Sequence, residues 1–334
     1  MRLLIVTQKV DKNDDVLGFF HRWILEFAKN CENVVVICLK KGEHDLPENV
    51  KVLSLGKEKG ESRFKYIRRF FRHIWTERGN YNDVFVHMNQ EYVLLGGLIW
   101  RILGKKVVLW RNHKYGNFWT KLAVLGAHRV LFTSPFSYTA RFKKSKQMPV
   151  GINTSVFRRM DIERKNRSIL SLGRISPVKK PDLLIKAVNQ MDNVILNIVG
   201  APTENDQDFF DLLKKEAGQQ INFLGSIEND KTIDLYNSHE LFVNLTPSGS
   251  FDKTILEAMA CESLVLVANQ SLKGAIPDSF LFNVDDPVDL AKKIEEVLSL
   301  SKEEKEKFEK QFRNYVVENH DLKKLVHEIF KIFA

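Results

Sequence analysis

The sequence predicts an α/β protein built as two doubly wound domains. Three observations carry this: a length of 334 residues, short β-branched runs alternating with amphipathic stretches, and a restart of that alternation near mid-chain. A single hydrophobic core rarely grows beyond about 250–300 residues, so the length favours two domains. Strands alternating with helices favour parallel sheets covered on both faces.

In the first half, an apolar run at 3–7 precedes a polar stretch at 8–15 and then Leu17, Phe20, Ile24, Leu25 and Phe27 at helical spacing. This predicts strand, loop and helix. Runs at 34–39, 52–55, 84–87 and 107–110 predict further strands, and Pro149-Val150-Gly151-Ile152-Asn153 reads as a turn into a new domain. The second half predicts strands at 169–172, 194–199, 221–224, 241–245 and 264–268, helices at 181–189, 206–217, 230–237 and 253–261, and charged amphipathic helices over 288–333. The expected division is 1–155, 156–315 and a closing helix at 316–334 that returns to the N-terminal domain. Ligands of open α/β sheets collect beyond the carboxyl ends of the strands, so loops of both domains are expected to face a central cleft.

Charge is uneven along the chain. Residues 1–150 hold 27 Lys+Arg against 13 Asp+Glu, and 151–334 hold 24 against 29, so the net +9 is +14 and −5 by half. The basic half is expected to face something anionic: a lipid surface, a phosphorylated acceptor or nucleic acid. Residues 63–75 interleave cations with aromatics and place Phe64, Ile67, Phe71 and Ile74 on one helical stripe. Such a helix either lies on an anionic membrane surface or packs its stripe into the core. Cys31, Cys38 and Cys261 lack metal-ligand or disulfide spacing and are expected to be buried thiols. Apolar runs are too short for a signal peptide or a membrane span, which predicts a cytoplasmic protein, peripheral at the inner face of the cell membrane if the basic helix docks there.

Two segments carry candidate chemistry. Ser171-Leu172-Gly173-Arg174-Ile175-Ser176-Pro177-Val178-Lys179-Lys180-Pro181 places Gly, Arg and Lys between a strand and a helix. A diphosphate suits that position: Arg offers a planar fork, Lys a point charge and the helix its unpaired amides. The alternative is a solvated basic loop. The second segment, 246–261, is a loop of small and polar residues running into a helix that carries Glu257 among Leu256, Ala258 and Met259. A carboxylate there needs a partner, such as a ribose diol or a neighbouring Lys.

These segments resemble the group 1 (family 4-like) retaining glycosyltransferases, and the resemblance extends over nearly the whole chain. It implies a GT-B fold, two Rossmann-like doubly wound domains facing a central cleft. It also implies transfer of a sugar from a nucleoside diphosphate sugar, UDP- or GDP-linked, to a hydroxyl acceptor that is a glycolipid, a lipid-linked molecule or a polysaccharide precursor. Gly173, Arg174 and Lys179 match the family's diphosphate-binding Gly-Arg and Lys, and Glu257 its ribose-binding Glu. The family's first Glu, which touches the donor sugar, falls on Gly249 here. Sugar recognition is therefore expected from the amides of Ser250, Phe251, Asp252 and Lys253, continuing to Thr254, or from the Asp252 carboxylate. Gly200 and Gly225 match glycine-containing loops of the donor domain, Gly151-Ile152-Asn153 with Phe157 the domain junction, and Gly18 a phosphate-facing turn. His113 resembles the family's His near the transferred sugar, and His87 holds a similar strand-end position.

The resemblance implies no obligatory metal ion and no cofactor beyond the donor as substrate. Two other readings are a nucleotide-sugar-binding protein without catalysis, suggested by Gly249, and a nucleic-acid-binding protein, suggested by the basic half. No recognisable nucleic-acid module is present, so no nucleic-acid partner is expected. The absence of Gly-x-Gly-x-x-Gly after either opening strand argues against a dinucleotide dehydrogenase.

Overall fold

A computed structural model of the chain describes residues 1–248, 251–282 and 286–334. The chain divides into two compact units, Met1–Gly151 with Leu322–Ala334, and Ile152–Asp321.

The first unit begins with β1 (Arg2–Val10), α1 (Gly18–Lys29), β2 (Asn33–Lys41), β3 (Val50–Ser54) and α2 (Arg63–Thr76). It continues through β4 (Asp83–His87), α3 (Glu91–Ile102), β5 (Lys106–Trp110), α4 (Phe118–Gly126), β6 (Arg129–Phe132) and β7 (Ser145–Gln147). Among the described residues its strands form one sheet in the order β3-β2-β1-β4-β5-β6-β7, every pairing parallel. Alternate side chains of β1 feed two core layers. Leu3 and Ile5 pack with Phe20, Trp23 and Phe27 of α1, whereas Leu4 and Val6 pack with Phe70 and Ile74 of α2, Trp100 of α3 and Val124 of α4.

The second unit contains β8 (Lys165–Leu172), α5 (Pro181–Val188), β9 (Ile195–Val199), α6 (Gln207–Glu216), β10 (Ile221–Gly225) and α7 (Thr232–Ser238). Then follow β11 (His239–Asn244), α8 (Lys253–Ala260), β12 (Leu264–Val267), α9 (Pro287–Leu298) and α10 (Lys302–His320). Its described strands form a parallel sheet in the order β10-β9-β8-β11-β12. The order reverses around β8, the position at which open α/β sheets bind ligands.

The final helix, α11 (Leu322–Phe333), belongs to the first unit, where Leu325, Val326 and Ile329 join the α1 layer. Gly151 shows why the chain can cross at this point. Its φ is +79°, and a Cβ there would lie 2.4 Å from Leu325 Cδ2 and 2.7 Å from the Trp23 ring. Trp23 Nε1 donates to Gly151 O at 3.0 Å. Only glycine accepts both the left-handed backbone and the two neighbours.

One expectation changes in the first unit. Ile74 does not share the outer stripe of α2: it is fully buried with Phe70, and Trp75 takes the outward position beside Phe64, Ile67 and Phe71. Packing against Trp100 and Tyr92 sets this rotation, which spacing within the helix leaves open. Residues 145–147 add a seventh strand as β7 beside β6. The three cysteines are buried free thiols.

Candidate functional site

The carboxyl ends of β8, β9 and β10 each end on a glycine-containing turn, and the backbone joins the three turns. Gly173 N donates to Val199 O at 3.0 Å, Gly200 N to Gly225 O at 2.8 Å, and Ile175 N to Ala201 O at 3.1 Å. Gly200 is the tightest point: its φ is +139° and a Cβ there would stand 2.0 Å from Gly173 O. Gly200→Ala must therefore push apart the turn that carries Arg174. It is expected to cost about 1–3 kcal/mol from backbone strain before the clash is counted. Thermal unfolding and donor affinity measured on the same preparation check this, since both should fall together.

Arg174 follows directly and is exposed, and its guanidinium has no hydrogen-bond or ion-pair partner among the described residues. Five N–H donors are thus available to a ligand. Lys179 ends a short 3-10 turn, Pro177–Lys179, that sets it back toward β11. Its ammonium bonds Asp252 and donates to Thr246 Oγ1 at 3.0 Å, which leaves one of its three N–H donors over.

These groups line an open cleft together with Asn244, Leu245 and Pro181. Arg174 and Lys179 set against Asp252 leave the cleft one positive charge in surplus.

Asp252 is part-buried and caps α8 through Thr254 N. Burial by itself raises its pKa, but the Lys179 charge and hydrogen bonds from Lys179, Asn244 and Thr254 outweigh that and hold it at about 2. Asn244 Nδ2 donates to it at 3.2 Å, as does Thr246 Oγ1 at 3.0 Å and Thr254 Oγ1 at 2.9 Å. The carboxylate, raised in the sequence as a sugar contact, is thus saturated with protein donors and serves to fix Lys179. Phe251 packs against the His320 ring at 5.5 Å, and Lys253 opens α8. Gly249 and Ser250 lie outside the described residues.

Glu257 is buried one turn into α8 and accepts from Tyr236 Oη at 3.2 Å. Burial, followed by the Glu257 charge, pushes the fully buried Tyr236 phenol well up, so it stays a proton donor to that carboxylate. Sequence reasoning missed Tyr236 and Asn244, and included Thr246 only as the start of the 246–261 segment. Asn244 left a signal: it is the polar residue in the otherwise apolar run 241–245.

In the first unit, Gly18 is the buried first residue of α1, and its amide donates to Asp14 O at 3.0 Å. The Asp14 carboxylate accepts from Val16 N and Leu17 N at 3.0 and 2.6 Å and pairs with Lys9. The protein's own carboxylate thus occupies the amides ahead of α1. His113 is exposed after β5, with Nδ1 2.8 Å from Tyr115 O and 3.1 Å from Tyr115 N. It lines a pocket of about 230 Å³ with Met88, Gln90, Glu91, Arg111 and Asn112. His87 is instead part of the packed interior, stacked on Phe20 at 3.8 Å and bonded to Thr7 Oγ1 at 3.2 Å.

Among the described residues, no group of three or more His, Cys, Asp or Glu is placed to hold a metal ion. No helix among the described residues is long and apolar enough to cross a membrane.

Residues 154–315 match the family of glycosyl transferases group 1. D-inositol 3-phosphate glycosyltransferase of Geodermatophilus obscurus is 28% identical over 166 residues, 45% of this chain and 37% of that protein. The protein of the same description from Mycolicibacterium smegmatis is 29% identical over 136 residues, 38% of this chain and 31% of that one. The matched stretch therefore spans about a third of these curated relatives. Solved structures align over the full length at lower identity. Anabaena HepE in complex with UDP-glucose gives a TM-score of 0.79 at 16% identity, covering 99% of both chains. Sucrose-phosphate synthase from Thermosynechococcus elongatus gives 0.80 at 15%, covering 100% of this chain and 98% of that one. Residues 154–315 are thus similar to the group 1 glycosyltransferases, and the chain has the GT-B fold.

Proposed function

We propose that the protein transfers a sugar from a nucleoside diphosphate sugar to a hydroxyl acceptor, with retention at the anomeric carbon. The observation that carries this is the Arg174 guanidinium, without a partner among the described residues and beside Lys179 in a cleft beyond β8. A bound diphosphate takes bidentate hydrogen bonds from Arg174 and the remaining donor of Lys179. As the glycosidic bond breaks, negative charge grows on the leaving phosphate, and both cations bind it more strongly than in the ground state.

UDP is the favoured base-bearing carrier, because HepE, which shares the fold, binds UDP and UDP-glucose. GDP-linked sugars are the second choice. The pocket of the first unit that holds His113 is the place for the acceptor or the transferred sugar. A hydroxyl acceptor carrying a phosphate or a lipid-linked phosphate suits the basic charge of this half of the chain. Neither a cofactor nor a metal takes part, the two cations replacing a divalent ion at the diphosphate.

The experiment is to incubate the protein with UDP- and GDP-sugars and candidate acceptors and to follow nucleotide release, then read the product's anomeric proton coupling by NMR. Release from one nucleotide class, an unchanged anomeric configuration and a rate unaffected by EDTA are expected. Donor bound without release in any combination would favour the binding-protein reading. Inversion would remove the retaining assignment, and loss of rate with EDTA the metal-free one.

A further inference from the structure

We propose that the outer face of the helix layer α2, α3 and α4 in the first unit docks on an anionic lipid bilayer. The three helices cover the same side of the sheet, each sending side chains into the core layer of Leu4 and Val6. Phe70 of α2 packs on Trp100 and Tyr92 of α3, and α3 packs along α4, so their outer surfaces adjoin.

With Phe70 and Ile74 turned inward, α2 presents Phe64 (75% exposed), Ile67 (41%), Phe71 (36%) and Trp75 (55%) along one outer stripe. Beside it α3 exposes Leu98 and Ile102, at 70% and 76%, and α4 exposes Phe118, Trp119 and Leu125. Single exposed apolar side chains are ordinary, whereas a set continued across three neighbouring helices marks an interaction surface.

Charge selects the partner. Arg63, Arg68 and Arg72 on α2, Arg101 on α3 and Lys121 on α4 are exposed and form no ion pair among the described residues. Helices α2 and α4 contain no Asp or Glu, and α3 contains only Glu91 at its start. A nucleic acid would neutralise the cations but leave Leu98, Ile102 and Leu125 in water. A second copy of the face would bury the apolar side chains but bring arginine against arginine. An anionic bilayer satisfies both sets at once: headgroups pair with the guanidinium groups, while the aromatic and aliphatic side chains enter the acyl boundary.

The test uses the full chain and sedimentation with vesicles of equimolar phosphatidylglycerol and phosphatidylcholine, compared with phosphatidylcholine alone. Binding is expected to the first only and to weaken as salt rises. Each cation near an anionic surface contributes about fivefold in partitioning, so Arg63→Gln/Arg68→Gln/Arg72→Gln is expected to lower binding about a hundredfold. Phe64→Ser/Leu98→Ser/Ile102→Ser is expected to weaken it too, with the melting temperature unchanged because all three side chains are exposed. Trp75 and Trp119 are the exposed tryptophans, the other three being buried, so binding should shift the emission to the blue. Equal binding to neutral vesicles, or binding that survives both triple variants, would overturn the proposal. So would self-association that the apolar variant abolishes in the absence of any preference for anionic vesicles.

Discussion

Arg174→Ala is expected to lower turnover by about a hundredfold to a thousandfold, the range for removing one preorganised donor from a developing oxyanion. The side chain is exposed and has no partner among the described residues, so its loss should leave the melting temperature of the free protein unchanged. The effect should fall mainly on kcat, because the phosphate carries more charge as the bond breaks than in the bound donor. Arg174→Lys should restore only part of the rate, since an ammonium cannot form the bidentate pair. Steady-state kinetics beside thermal unfolding check this. A variant equally slow but also unfolded at lower temperature would assign Arg174 to structure instead.

The second large effect concerns stability. Asp252→Asn keeps a capping side chain on α8 but leaves the Lys179 ammonium without its counter-charge. A carboxylate with its pKa held at about 2 in the folded state contributes about 2–3 kcal/mol, or roughly 5–10 °C in melting temperature for a unit of this size. Asp252→Ala also loses the cap, worth about 1 kcal/mol. The pH dependence follows from the sign of the shift. The folded pKa is about 2, below the ordinary value of about 3.9, so the stabilisation is fully present above about pH 4 and is lost as pH falls toward 2. Melting curves of wild type and Asp252→Asn should therefore converge over that interval. A constant gap would mean that charge is not what Asp252 contributes.

Much of the fold is legible in the sequence because parallel strands buried on both faces are short β-branched runs, as at 34–39 and 241–245. The rotation of α2 is not, because residues 64, 67, 71 and 74 satisfy helical spacing equally well facing in or out. Trp100 and Tyr92, far along the chain, decide it. The same limit applies at the site. The loop carrying Gly173, Arg174 and Lys179 is a local pattern and can be read directly. The partnership of Lys179 with Asp252 spans 73 residues and joins two separate strand ends, so spacing does not reveal it. His87 and His113 both end strands in the sequence, and only packing separates the stacked interior ring from the exposed one.

The central claim is that the cleft beyond β8 binds a nucleoside diphosphate through Arg174 and Lys179. The most direct measurement is the melting temperature of wild type and Arg174→Ala across a panel of UDP, GDP and ADP. A ligand at a hundred times its dissociation constant stabilises the folded state by about 2.7 kcal/mol, roughly 5–10 °C here. The account predicts such a shift for one diphosphate in wild type and its loss in Arg174→Ala. No shift with any diphosphate, in protein shown to be folded, would contradict it, as would a shift that Arg174→Ala leaves intact.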